Sequence, residues 1–378
     1  MKIALYANTD WFMYQFNRPL ALALKAAGHD VVLLTPPGDF HHHFETIGLQ
    51  WQAVPMQRRS LNPFREIALI FWLVKALRRE KVDLLNNFTL KCIVYGSLAS
   101  RASPRIGLVN TITGLGYVFT NNGIKARALK PFVRALMTVV LGMTNSKTVV
   151  LNEEDLEFVS ETFNLERNEK VFLIPGSGVD CDRFTPSTRG PSEETRPFRV
   201  CLPARLLWDK GLAEYVDASR IVRSTYPDMQ FHLCGALDRG NPSAVPSPVL
   251  EGWISEGVVI WNGHVDDMAA ALPEFDVVVL PSHREGLPTV LTEASASGVP
   301  LVATDVPGCR DVVNDGVNGF LVPKGNAKAL AQAIEKLYLS PALRREFGRN
   351  AREIAIQKFC TPAVIEKTLA VYALNRTT

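Results

Sequence analysis

The run Asp276-Val-Val-Val-Leu-Pro-Ser-His-Arg-Glu285-Gly286-Leu287-Pro288-Thr289-Val-Leu-Thr-Glu293-Ala294 sets two carboxylates eight positions apart, across a glycine and a proline. The unbroken apolar stretch Val277–Leu280 predicts a buried strand. Pro288 falls where the first residue of a helix is expected. Amides at a helix start lack intrahelical partners and carry partial positive charge, so this turn suits an anion. Glu293 then lies about 1.5 turns into the helix, roughly 8 Å along its axis. A carboxylate accepts two hydroxyl donors, as a vicinal diol requires. A phosphate at the helix start and a sugar diol further along are the chemistry this spacing suits. Taken alone, the same residues also read as a plain strand–loop–helix with two solvated acids.

A second group stands upstream, Ala204-Arg205-Leu206-Leu207-Trp208-Asp209-Lys210-Gly211. Arg205 offers a planar fork for phosphate and Lys210 a compact charge on a flexible stem. Gly211 lets the backbone turn before a helix. This combination is common, and it gains weight from its place at the end of an expected strand in the same domain as Glu285.

These residues need elements to position them, and the chain alternates short β-rich runs with longer amphipathic ones. In the first half, strands are expected at Lys2–Ala7, Val31–Leu34, Val82–Leu85, Ile106–Val109 and Lys147–Leu151. Helices are expected at Tyr14–Ala27, from Asn62-Pro63 to about Glu80, and from Asn152 onward. Cys181–Pro197 has no apolar period and reads as an interdomain linker. The alternation then restarts, with strands at Arg199–Pro203, Gln230–Cys234, Val258–Trp261, Asp276–Leu280 and Leu301–Ala303. Helices follow at Leu212–Ser224, Pro288–Ser297, Ala327–Leu339, Pro341–Phe359 and Pro362–Leu374. Alternation on both sides of a linker predicts an α/β protein of two doubly wound parallel sheets. Such sheets bind ligands at the carboxyl ends of their strands, and the cleft between two of them is the expected site. The expected boundaries are 1–184 for the first domain, with helix 361–378 added to it, 185–198 for the linker and 199–360 for the second domain.

The 378 residues suit two domains of ordinary size, and 47% hydrophobic content supplies two cores. The net charge of +3 hides an asymmetry. Residues 1–150 carry 18 basic and 7 acidic residues, a net +11, and the remainder carries 23 and 31, a net −8. A basic first half suggests an anionic partner, unless solvated helix faces merely happen to be basic. No nucleic-acid motif accompanies the charge. The six cysteines form no Cys-x-x-Cys pair, which fits reduced thiols in a cytosol. The apolar stretch Ile3–Ala7 is too short for a signal peptide, and Ile67–Val74 is far short of a membrane span. His41-His42-His43 reads as a surface loop rather than a metal site.

Glu285 and Glu293, with Arg205 and Lys210-Gly211, resemble the pattern of the retaining glycosyltransferases of family 4, which have the GT-B fold. The resemblance extends over nearly the whole chain. It includes Gly178-Val179-Asp180-x-x-x-Phe184, Asp305-Val-Pro-Gly308 and Asn318-Gly319-Phe320. It implies two Rossmann-like domains and a terminal helix that crosses back to the first. It also implies that Arg205 and Lys210 neutralise the departing diphosphate of a nucleotide-sugar. Glu285 would bind donor-sugar hydroxyls, with amides around Gly286, Leu287 and Pro288 touching sugar or phosphate. Glu293 would hold the ribose, and Gly263, His264 and Val265 would meet the base. Neither a metal nor another cofactor is implied.

The chain departs from the family in two places. Asn8-Thr9-Asp10-Trp11 stands where many members have a Gly-Gly loop, and Asn110-Thr-Ile-Thr113-Gly114-Leu-Gly116 lacks a histidine that many members carry. This pattern, with Ser60-Leu-Asn-Pro63 and Leu207-Trp208-Asp-Lys210, is similar to the subgroup acting on undecaprenyl-diphosphate-linked sugars. Asn8, Trp11, Thr113, Gly114 and Gly116 would then lie on the acceptor side. Around Lys125–Met143, Leu129, Phe132, Val133, Leu136 and Val140 follow a helical stripe. Lys125, Arg127, Lys130 and Arg134 add positive charge, as in helices that lie on anionic membranes. A helix packed on its own sheet is the competing reading.

The expectation is a cytoplasmic, membrane-associated retaining glycosyltransferase. It would move a hexose or N-acetylhexosamine from a UDP-sugar to a polyprenyl-diphosphate-linked acceptor. A GT-B epimerase or soluble-acceptor synthase, and a non-catalytic nucleotide-sugar-binding protein, are the alternatives.

Overall fold

The computed structural model describes residues 1–57, 60, 62–114, 119, 123–187, 196–238, 240–241 and 243–374. The chain divides into two compact units, Met1–Gly178 with Val364–Thr378, and Val179–Ala363.

The first unit is built on strands β1 (Lys2–Tyr6), β2 (Asp30–Thr35), β3 (Gln50–Ala53), β4 (Leu84–Phe88), β5 (Gly107–Ile112), β6 (Ser146–Val150) and β7 (Val171–Leu173). They form one sheet in the order β3-β2-β1-β4-β5-β6-β7, and every pairing is parallel. The order reverses between β1 and β4, which is the switch point where such a sheet opens to ligands. β4 lies later than the expected Val82–Leu85, because its centre carries polar residues that read as a turn. Asn86 and Asn87 are buried, and the Nδ2 of each donates a hydrogen bond. Asn87 Nδ2 donates to Asn110 Oδ1 at 2.9 Å, and Asn110 Nδ2 donates to Ser146 Oγ at 2.9 Å.

The longer helices in Met1–Gly178 are α1 (Arg18–Ala26), α2 (Pro63–Arg79), α3 (Leu90–Ser100), α4 (Ile124–Leu141) and α5 (Glu153–Phe163). The single helix expected at Tyr14–Ala27 is instead a short turn, Asp10–Phe12, a π-helical turn, Met13–Asn17, and then α1. The Asn62 side chain accepts from the Phe64 N–H at 3.1 Å and starts α2, and Asn152 caps α5 through the Asp155 N–H at 2.7 Å. Pro131 does not end α4, which runs through it.

The second unit holds β8 (Arg199–Pro203), β9 (Gln230–Cys234), β10 (Ile260–Gly263), β11 (Val277–Leu280), β12 (Leu301–Thr304) and β13 (Gly319–Val322). Their order is β10-β9-β8-β11-β12-β13, again all parallel, with the reversal between β8 and β11. Its helices include α6 (Leu212–Arg223), α7 (Thr289–Ala296), α8 (Ala327–Leu339) and α9 (Pro341–Ile354). The last helix, α10 (Thr361–Leu374), returns to the first unit. Val364, Val371 and Tyr372 join that unit's core, and Asn86 Nδ2 donates to the Tyr372 hydroxyl at 2.6 Å.

The second unit begins at Val179, ahead of the composition shift that marks the linker. The Val179 N–H donates to the Phe359 carbonyl at 2.8 Å, and the Thr361 N–H donates to the Val179 carbonyl at 2.9 Å. Arg352 donates to the carbonyls of Cys181 and Phe184. Cys181 and Cys360 form a disulfide, which corrects the expectation of six reduced thiols. Their separation of 179 residues hides the pair from any local spacing rule. Cys92, Cys201, Cys234 and Cys309 are free and buried. Among the described residues, no helix is long and apolar enough to cross a membrane.

Candidate active site

The switch point of the second unit sets the loops after β8 and β11 side by side, and these carry both groups of residues singled out above. After β8 the chain makes a 3-10 turn, Trp208–Lys210, and reverses at Gly211, where φ is +74°. A Cβ at Gly211 would sit 2.0 Å from the Pro281 carbonyl oxygen, so only glycine brings the two loops this close. The His283 N–H donates to the Asp209 carbonyl at 2.9 Å, and the His283 ring Nε2 lies 3.0 Å from Glu214 Oε1 on α6. Lys210 Nζ then meets Glu285 Oε1 at 2.5 Å, with both side chains largely buried. These two residues of the sequence patterns are thus in direct contact, fixed by backbone on both sides.

The far side of the Glu285 loop is equally constrained. Gly308 has φ +77°, and a Cβ there would lie 2.6 Å from the Gly286 carbonyl oxygen. The Thr304 hydroxyl donates to the Ser282 carbonyl. Beneath the loop, burial pushes the Cys309 thiol up to about 12, helped by the nearby Glu285 charge. Cys309 is therefore a neutral packing residue and not a nucleophile at neutral pH.

Pro288 is the N-cap of α7, one position before the expected N1, and the first-turn amides follow it. Glu293 lies in the second turn. Burial pushes its carboxyl up to about 7, and the Arg183 charge only partly opposes this. Arg183 itself pairs with Asp267 at 3.0 Å. A carboxyl whose native pKa is raised favours the protonated form on folding. It stabilises the protein fully below its unfolded pKa of about 4.5, and this is lost as pH rises through about 7. Glu293→Gln is therefore expected to flatten the fall in stability between about pH 4.5 and 7. It should gain up to about 3 kcal/mol over the wild type at pH 8, read by denaturant titration at several pH values. A hydroxyl-bearing ligand that needs the carboxylate should bind the wild type more tightly as pH rises through about 7, with proton release. Calorimetry in two buffers of different ionisation enthalpy checks this.

Other expected residues stand differently. Arg205 does not contact Glu285. Its guanidinium donates to Asp238 at 2.9 Å and is largely exposed. Gly263, with φ +69°, ends β10. His264 beyond it is exposed, 3.5 Å from Asp266, while Val265 packs partly into the core. In the first unit, Asn8 and Trp11 follow β1 at the switch point. Trp11 is 47% exposed and packs edge-to-face on Phe16 at 5.4 Å. The Asn8-Thr9-Asp10 loop has its own logic. Asp10 is buried and accepts from the Trp11, Phe40 and His41 amides, and a Cβ at Gly38 would strike its carboxylate. Thr113 and Gly114 follow β5, and Gly116 lies outside the described residues. Lys125 falls in the first turn of α4, and its side chain also lies outside them. His42 and His43 open a short helix, His42–Thr46, where a surface loop was expected, and His41 stands at its N-cap. His41 lies against Trp51 at 4.5 Å and His42 against His43 at 4.0 Å. Among the described residues, no group of three or more His, Cys, Asp or Glu is placed to hold a metal.

Sequence reasoning missed Glu214, His283, Asp238 and Gly235. Gly235 is the firmest of these, because a Cβ there would lie 1.8 Å from the Ala204 carbonyl oxygen, beside Arg205. A glycine directly after an expected strand was the available signal.

Residues 186–354 match the family described as glycosyl transferases group 1, and residues 2–145 match glycosyl transferase 4-like. The chain is 26% identical over 367 residues to the N,N'-diacetylbacillosaminyl-diphospho-undecaprenol alpha-1,3-N-acetylgalactosaminyltransferase of Campylobacter jejuni, covering 94% of each chain. It is 27% identical to the capsular polysaccharide biosynthesis glycosyltransferase CapM of Staphylococcus aureus, over 85% of this chain and 84% of that one. Among solved structures, Anabaena HepE in complex with UDP-glucose superposes with a TM-score of 0.74 at 21% identity, covering 98% of this chain and all of that one. This last likeness establishes the shared fold.

Proposed function

We propose that this chain, which belongs to the glycosyl transferases of group 1, moves a hexose or N-acetylhexosamine from a UDP-sugar to a polyprenyl-diphosphate-linked sugar. The setting is the assembly of a surface polysaccharide or glycan at the inner face of the cytoplasmic membrane. The observation that carries the donor half is the Lys210–Glu285 pair at the switch point, directly before the α7 start. The Campylobacter relative acts on a diphospho-undecaprenol-linked sugar, which supports the acceptor half. HepE was solved with UDP-glucose, which supports the base.

Cleaving a glycosyl–phosphate bond builds positive charge on the sugar and negative charge on the leaving diphosphate. Lys210, Arg205 on release from Asp238, and the N–H groups of Gly286, Leu287 and the first turn of α7 stabilise the latter. Lys210 and the amides are held in place beforehand, so they need no reorganisation at the moment of reaction, whereas Arg205 must first leave Asp238. Glu285 accepts from donor-sugar hydroxyls and orients Lys210. Glu293 accepts from the ribose diol, and the Gly263-His264-Val265 loop borders the base. Asn8, Trp11, Thr113 and Gly114 serve the acceptor, and transfer proceeds with retention.

Thermal stabilisation by UDP, GDP, ADP and a panel of UDP-sugars, without added metal, tests the donor site. A ligand at about 100 times its dissociation constant adds about 2.7 kcal/mol. A melting shift with UDP and one UDP-sugar is expected. A folded sample that responds to none of them contradicts the donor assignment.

A further inference from the structure

We infer that Glu214 and His283 are positioning residues of the donor site, a second tie between the β8 and β11 sides that keeps Lys210 and Glu285 in register while those two engage the donor. The inference deepens the proposed donor site and rests on that reading.

Two side-chain contacts join the two sides. In the first, Lys210 Nζ meets Glu285 Oε1 at 2.5 Å. In the second, His283 Nε2 lies 3.0 Å from Glu214 Oε1. A carboxylate only accepts, so Nε2 carries the proton and donates. The two contacts run in opposite senses. The first takes its donor from the β8 side and its acid from the β11 side, and the second does the reverse. Glu214 stands one turn after Lys210, and His283 just before Glu285.

The first contact cannot hold the frame alone. In the proposed reaction the Lys210 ammonium turns to the diphosphate and the Glu285 carboxylate to sugar hydroxyls, so each shares its partner with the ligand. The second contact supplies no group to that chemistry and stays closed throughout. It is also the more firmly seated. Glu214 lies in the first turn of α6, which the fully buried Leu212 and Tyr215 fix in the core. The Tyr215 hydroxyl lies 3.1 Å from the Val200 carbonyl oxygen of β8 and 3.0 Å from that of His232 on β9.

The stretch Pro281–Pro288 belongs to neither strand nor helix, so its course depends on such ties. The His283 N–H bond to the Asp209 carbonyl, 2.9 Å long, fixes where it crosses, one residue from Lys210. A single hydrogen bond is a pivot. The ring bond to Glu214 is a second point of attachment, and two points set the direction in which the chain leaves toward Glu285. A misplacement of about 1 Å at such a site costs up to about 10² in rate.

The test uses the full chain. His283→Ala keeps the backbone bond to Asp209 and removes only the ring. It and Glu214→Ala are each expected to lower turnover about 10- to 100-fold and UDP affinity about fivefold, with the double variant no worse than either single. Glu214→Gln and His283→Gln can hydrogen-bond at the same reach and should stay within about threefold of the wild type. Lys210→Met separates positioning from packing. It should weaken UDP about tenfold in the wild type and only about twofold in His283→Ala, where Lys210 has already lost its aim. A general loss of stability would leave the tenfold step intact. Melting temperatures should stay within about 5 °C of the wild type. Glu214→Asp, which withdraws the carboxylate by one methylene, tests the same contact should the alanine variants melt early, and the same losses are expected of it. Wild-type turnover and UDP affinity in the variants that break the contact overturn the inference. So does a full tenfold Lys210→Met step in His283→Ala. Loss of UDP binding in His283→Ala but not in Glu214→Ala overturns it too, because His283 would then touch the ligand itself. UDP affinity needs no acceptor, so a wild type that binds UDP and transfers nothing counts against the proposed reaction alone.

Discussion

Glu285→Gln is expected to cut turnover by about 10²–10³, or about 3–4 kcal/mol of transition-state stabilisation, while UDP affinity stays near the wild-type value. The substitution keeps shape and volume and removes one charge. That charge has two jobs. It accepts from donor-sugar hydroxyls, and it holds Lys210 Nζ at 2.5 Å in a largely buried pair. Glutamine can still hydrogen-bond, but it stabilises neither the Lys210 ammonium nor the positive charge developing on the sugar. UDP alone reports on Arg205, Lys210, α7 and Glu293, so its binding should survive. Losing one partner of a buried pair also costs stability. Melting and single-turnover rates therefore belong together, with Lys210→Met and the double variant completing a cycle. Two singles whose effects do not add are expected, because each disables the same contact. Wild-type turnover in Glu285→Gln contradicts the role.

Gly235→Ala is expected to destabilise the second unit by about 3 kcal/mol and lower its melting temperature by about 6–12 °C. The added Cβ would meet the Ala204 carbonyl oxygen at 1.8 Å and its carbon at 2.7 Å, and both are backbone. Neither can move freely. The Ala204 N–H donates to the Cys234 carbonyl at 3.1 Å, and the Leu206 N–H donates to the Ala236 carbonyl at 3.1 Å. The displacement falls on the loop that carries Arg205, so nucleotide affinity should weaken along with stability. Gly252→Ala is the matched control. Gly252 lies inside helix Ser247–Ser255 with nothing within 4 Å of its added Cβ, so it should be neutral or gain up to about 1 kcal/mol. Similar melting of both variants contradicts a close approach at Gly235.

The strand–helix alternation was legible because buried parallel strands are continuous apolar runs, as Val277–Leu280 and Leu301–Thr304 are. The Asn62 and Asn152 caps were legible for an equally local reason. What escaped was set by tertiary context. β4 is buried yet carries Asn86 and Asn87, whose partners come from β5 and α10. β3, reading Gln50-Trp-Gln-Ala, is only half-covered and has no apolar run. No residue of α3 is exposed, each being buried or half-buried, so it lacks the one-sided period that marks a helix. The Cys181–Cys360 pair spans the whole second unit. At the site, Glu285 and Lys210 were visible as residue types, and their contact followed from the switch point. Arg205 was visible too, but its present partner Asp238 comes from beyond β9, which no spacing reveals.

The most direct measurement is transfer of label from the UDP-sugar that stabilises the protein to a short-chain polyprenyl-diphosphate N-acetylhexosamine, with UDP release followed in parallel. A labelled lipid-linked disaccharide is expected, with UDP formed in equal amount only when acceptor is present, and both lost in Glu285→Gln. A folded protein that binds UDP yet transfers to no lipid-linked acceptor, or interconverts UDP-sugars without one, would contradict the proposed reaction.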